Sequence, residues 1–203
     1  DNTYSLIHDS VFEVLASHYG NQHQEDMLEY MSSNFVAKKF SISDTSGNPG
    51  DLHINIRTEH YSAFAKRLVR DLESLELYDV FMNKTLKIKC ICSAFIDELK
   101  KKSYHEIKNV FFQEKEISSN IIERRVSWKK SKCDFEVELQ RQALLVGVYT
   151  KSVIRVISWV VSYGHSQLLQ FLFDQVTKHE KSIRRVLDSE VQKGSENSYI
   201  SVI

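Results

Sequence analysis

Proline occurs once in this chain, and it falls with two of the six glycines inside "SISDTSGNPGD", residues 41–51, around Pro49. The strongest backbone breakers are therefore concentrated in one place, which marks the clearest loop or domain boundary. Cysteine is also scarce. Cys90, Cys92 and Cys133 are an odd number with no disulfide framework, so a reducing compartment is expected and the chain reads as intracellular and cytoplasmic. Charge of neither sign dominates: 27 Lys and Arg balance 27 Asp and Glu. A balance of zero removes the simplest argument for a nucleic-acid or anionic-membrane partner, since both draw on a cationic excess. No run approaches the roughly 20 consecutive apolar residues of a membrane helix. The first residues also lack the basic-then-apolar pattern of a signal peptide.

What is present is a globular composition, 42% apolar and 11% aromatic, enough for a real core in one or two domains. The chain opens directly in an element and has no initiator Met, so it is expected to be a segment of a longer protein. A short strand is predicted over residues 4–7 and a helix over 9–19, in which Val11, Phe12, Leu15, Ala16 and Tyr19 recur at helical spacing and form a buried face. Asp9 or Ser10 can cap that helix, the latter with Glu13 as a capping box, and Gly20 fits a left-handed stop. A second helix is expected over residues 24–32, with Met27, Leu28 and Met31 inward, before the weaker apolar run "FVAKKFSIS".

Beyond the loop, "LHINI" reads as strand-like or extended. Tyr61, Phe64, Ala65, Leu68, Leu72 and Leu75 then mark a strongly amphipathic helix. "LYDVFMN" suggests a short helix, Ile88 to Leu99 another, and Tyr104, Ile107, Val110 and Phe111 one more. Residues 114–134 lose periodicity and carry both charge signs, as a long connection would. Helices are predicted again over 136–149, 152–163 and 166–178, the middle one apolar nearly all round and so sandwiched between neighbours. "KHEKSIRR", residues 178–185, reads as the exposed start of a further helix. The expected organisation is an N-terminal part over 1–40, a linker over 41–51, a helical domain over 52–113, the charged connection over 114–134 and a helical array over 135–203.

Few residues suggest chemistry of their own. Cys90 and Cys92, two apart on a helix, point to different sides, and Cys133 has no His at zinc spacing, so no metal site is expected. The eight histidines are scattered. In "HDS", adjacent residues cannot face one another as nucleophile and base must, so no catalytic residue is assigned. Arg124, Arg125, Lys129, Lys130 and Lys132, with Trp128 among them, form the one basic segment with an interleaved aromatic. It could bind nucleic acid through phosphates and stacking. Neighbouring acids, Glu114, Glu116, Glu123 and Asp134, offset the charge, so a solvated loop is the favoured reading.

Two stretches carry a family resemblance. In "VVSYGHSQLLQFLF", residues 160–173, Gly164-His165 separates apolar pairs from Leu168, Leu169, Phe171, Leu172 and Phe173. This is similar to the centre of an ankyrin repeat, in which the glycine lets the chain reverse between two stacked helices. The preceding "RVISWVV" departs from the usual Thr-Pro-Leu-His pattern, so the repeat is degenerate, and a plain helical hairpin with a glycine turn is the alternative. At the N-terminus, Ile7-His8-Asp9 followed by Glu13, Leu15 and Ala16 resembles the winged-helix motif of STAND NTPases, the sensor ATPases that include NOD-like and plant resistance proteins. Taken in order, most of the chain resembles the region after the ATPase core of the animal novel-STAND proteins, where ankyrin-type repeats follow.

The resemblance implies a mainly α fold: a winged-helix-like N-terminal part, then a helical array with degenerate ankyrin-like helix pairs. It implies that His8 reaches the β-phosphate of ADP bound by an upstream ATPase domain, a role an imidazole at a helix N-terminus can fill. Asp9, itself anionic, and Ser10 would cap the helix and position His8. The chain contains no Gly-x-x-x-x-Gly-Lys-Ser/Thr loop, so it is not expected to be an enzyme alone or to hold a cofactor; ADP or ATP is implied for the parent protein only. The expected function is to couple nucleotide state to conformation and self-association in a signalling ATPase of innate immune type, with protein partners on the helical repeats. A nucleotide-independent ankyrin-type scaffold is the second reading.

Overall fold

A computed structural model describes residues 9–42, 53–116 and 153–188, and most of these are helical. The chain divides into two compact units, residues 1–101 and 102–203. The predicted strand over 4–7, the helix over 136–149 and most of the 41–51 linker lie outside the described residues.

In the first unit, α1 spans Asp9–Gln22 and runs through Gly20 instead of stopping at it. Gly20 is buried and does not adopt positive φ, so the expected left-handed stop is corrected. The expected buried face is corrected at Leu15 and Tyr19, while the side chains of Val11 and Phe12 lie outside the description. Leu15 and Tyr19 are 62% and 48% exposed, and the side of α1 turned inward carries the small residues Ala16, Ser17 and Gly20. After a break at His23, α2 (Gln24–Tyr30) buries Met27 and Leu28, while Met31 is only half-buried beyond its end. The run that looked weakly apolar forms a third helix, α3 (Ser33–Lys39), because the Ser32 hydroxyl accepts from Phe35 N–H and Lys38 and Lys39 stand at its carbonyl end.

Two very short strands follow, β1 (Phe40–Ser41) and β2 (Ile54–Asn55), paired in parallel with Phe40 opposite Ile54. A 3-10 turn at Thr58–His60 leads into α4 (Tyr61–Glu73), which buries Phe64, Ala65, Leu68 and Leu72 as their spacing requires. Leu75 does not continue this helix. It adopts φ 59°, and Leu75 N–H donates to Leu72 O while Glu76 N–H donates to Asp71 O, a Schellman stop built without glycine. The short α5 (Leu77–Phe81) is buried at all five positions, and a 3-10 turn at Lys84–Lys87 connects it to α6 (Lys89–Lys100). The core of the unit forms where α4 lies along α6, joining Phe64, Leu68 and Leu72 to Ile91, Phe95 and Leu99.

The second unit begins with α7 (Tyr104–Phe111), whose first turn closes in a reciprocal capping box: Glu106 N–H donates to Ser103 Oγ, and Ser103 N–H donates to Glu106 Oε2 at 2.8 Å. Hydrogen bonds from the Ser103 hydroxyl and then its backbone N–H hold the Glu106 carboxyl below its ordinary pKa. Glu114–Glu116 is not the start of a connection but a strand, β3, antiparallel to β4 (Val153–Arg155). The first residues of the predicted 152–163 helix are thus taken by a strand, as β-branched Val153 and Ile154 favour, and α8 is only Val156–Ser162. It buries Val156, Ile157, Trp159 and Val160 but leaves Val161 57% exposed, so it is not enclosed all round. Next come α9 (Ser166–His179) and α10 (Ile183–Asp188). Lys178 and His179 belong to the end of α9, so "KHEKSIRR" spans a break between two helices.

Candidate functional site

His8 lies outside the described residues. Asp9 opens α1 and Ser10 sits in its first turn, with their side chains outside the description. The basic residues Arg124, Arg125, Lys129, Lys130 and Lys132 are likewise outside it. What is described at this end of the chain is the remainder of α1, whose outward side presents Val14, Leu15 and Tyr19 while its inward side meets β2. Ser17 Oγ donates to His53 O at 3.3 Å, and Asn55 N–H donates to Asn21 Oδ1 at 3.2 Å.

Gly164 and His165 are described in full. Gly164 adopts φ 70° between α8 and α9; its N–H donates to Val161 O, and His165 N–H donates to Val160 O. This is a Schellman stop with glycine at the left-handed position. The hydrogen bonds fix His165 at the cap of α9, where it is 4% exposed and its carbonyl accepts from Leu169 N–H. Trp159 stacks on Tyr163 with ring centroids 5.7 Å apart, and Leu168, Phe171 and Leu172 are buried along α9. The turn therefore places the His165 side chain in the packed interior of the helix pair, while Gly164 itself is exposed.

A polar cluster that the sequence reading passed over joins α2, α3 and α4. Arg67 Nε donates to both oxygens of Asp71, at 2.8 and 2.9 Å, with both side chains 6% exposed. Arg67 Nη1 also donates to Leu28 O, and Ser33 Oγ donates to Asp71 Oδ1 at 2.8 Å. Next to it Arg70 donates to Leu28 O and Glu29 O and pairs with Glu29 Oε1 at 2.9 Å. Two guanidinium groups thus receive the last carbonyls of α2, the negative end of that helix. The signal was visible: Arg67 and Asp71 are four apart, on the same side as Phe64 and Leu68. A cleft of about 340 Å³ opens here, lined by Glu25 and Glu29 from α2 and by Lys66 and Arg70 from α4. Its walls are of opposite charge and the Arg70–Glu29 pair spans them, so they neutralise each other.

In the second unit, Glu180 gathers two donors from α7. Tyr104 OH donates to Glu180 Oε1 at 3.1 Å and Lys108 Nζ at 2.7 Å, and the Tyr104 ring stacks on His179 at 4.5 Å. Burial, then the hydrogen bond to Glu180 and its charge, push the Tyr104 hydroxyl up to about 12. On α6, Cys90 is exposed and Cys92 buried, on different sides as their spacing dictates. Among the described residues, no group of three His, Cys, Asp or Glu is placed to hold a metal ion, and no helix is long and apolar enough to cross a membrane. No family model, curated protein or solved structure matches this chain.

Proposed function

We propose that this chain is a regulatory and protein-interaction segment of a STAND-type, NOD-like signalling ATPase, coupling the nucleotide bound upstream to conformation and self-association. The observation that carries the reading is the Ile7-His8-Asp9 stretch standing where α1 begins, with Glu13, Leu15 and Ala16 following on that helix. The outward apolar side of α1 supports it, because a helix that leaves Val14, Leu15 and Tyr19 exposed is suited to a further domain. In this reading His8 donates to a phosphate oxygen of ADP in the closed state, Asp9 and Ser10 position it, and the chain alone hydrolyses nothing. The differential affinity of the closed form for ADP would set the resting state, and ATP or a ligand would favour the open, self-associating form. The protein would act in the cytoplasm, as part of innate immune sensing.

The test is made in the full-length parent protein. His8→Ala and Asp9→Val are expected to lower the bound ADP recovered after purification and to raise the basal oligomer fraction in light scattering. Unchanged nucleotide content and unchanged size in both variants would overturn the reading. A second reading, a nucleotide-independent ankyrin-type scaffold, draws on the helix pair that turns at Gly164. It expects partner binding to be indifferent to nucleotide and to both substitutions.

A further inference from the structure

We draw no further inference here: the strongest candidate, the outward apolar face of α1 formed by Val14, Leu15 and Tyr19, is left exposed by the first unit, and nothing in the structure shows what covers it.

Discussion

Gly20 on α1 sits so close to Ile54 on β2 that a Cβ at Gly20 would come within 2.8 Å of Ile54 Cγ1. The glycine is there for this approach, which brings the polar side chains of α1 and α2 within reach of β2. Gln24 Nε2 donates to Asn55 O at 2.6 Å and Gln24 Oε1 accepts from Arg57 N–H at 3.2 Å. On the opposite edge β2 pairs with β1, and Ile56 N–H donates to Ser41 O. A two-residue strand is thus held on both sides, one side by side-chain amides doing the work of a strand. An edge satisfied in this way offers no template for a foreign strand.

Gly20→Ala is therefore expected to destabilise the first unit, although alanine is the better helix former by about 1 kcal/mol. Ile54 is 1% exposed, so its side chain can move aside only by displacing packed neighbours, and overpacking of this kind costs about 1–3 kcal/mol. Urea denaturation should show a lower midpoint. Combining Gly20→Ala with Ile54→Val, which removes Cδ1, should recover part of the loss; strictly additive effects would mean the two residues do not touch.

The Arg67–Asp71 pair should behave as a buried salt bridge. Asp71→Asn leaves a guanidinium buried without its counter-ion and should cost about 3–5 kcal/mol. Replacing both partners, as Arg67→Met with Asp71→Leu, should cost less than that single change. Leu28 O keeps its donor from Arg70 Nη2 at 3.2 Å, so the double variant does not strand that carbonyl. Equal losses for the single and double variants in denaturant titration would show that desolvation of the pair is not the governing cost.

The parts legible in the sequence were those with a sustained apolar period. The spacing of Phe64, Ala65, Leu68 and Leu72 led to α4, and that of Ile91, Cys92, Phe95 and Leu99 to α6, because each repeats one buried stripe over three turns. Of the strands, β2 falls within "LHINI", which reads as strand-like or extended; β1, β3 and β4 were missed because two or three residues are too few to show alternation, and Glu114–Glu116 reads as charge alone. On α1 the pattern misled at Leu15 and Tyr19, since the close contact with β2 selects small residues and leaves Val14, Leu15 and Tyr19 outside. Of the candidate site, only Gly164 and His165 are described with their surroundings, and there the chain turns between α8 and α9 with Gly164 at φ 70°. Arg67 was passed over because a charge on an apolar stripe invites being read as an exception, whereas its spacing to Asp71 was itself the sign of a buried pair.

Two helices end in the same hydrogen-bond pattern with different residues at the left-handed position, and substitution should separate them. Gly164→Ala meets no atom within 4 Å of its Cβ, so its cost is conformational, about 1–2 kcal/mol at φ 70°. Gly164→Asn should cost less, since asparagine tolerates this region. At Leu75, which already bears the penalty, exchange for alanine should bring no new backbone strain and should lose only the contacts of a half-buried side chain. Thermal unfolding of the variants checks the order; Gly164→Asn below Gly164→Ala would contradict it.

The Tyr104–Glu180 contact gives the second unit a dependence on alkaline pH. A hydroxyl raised to about 12 when folded, against about 10 when unfolded, makes the folded state hold its proton more tightly. That stabilisation is fully present below about pH 10 and is lost as the pH rises through the folded value. Absorbance at 295 nm should show tyrosinate forming late in the intact chain, and the difference from Tyr104→Phe should isolate this residue. Glu180→Gln removes the charge and weakens the accepting group but leaves burial, the largest cause, so the Tyr104 midpoint should fall part of the way back and remain above the ordinary tyrosine range. A return all the way would make Glu180 and not burial the dominant cause, and no movement would mean that the hydroxyl does not reach the carboxylate in solution.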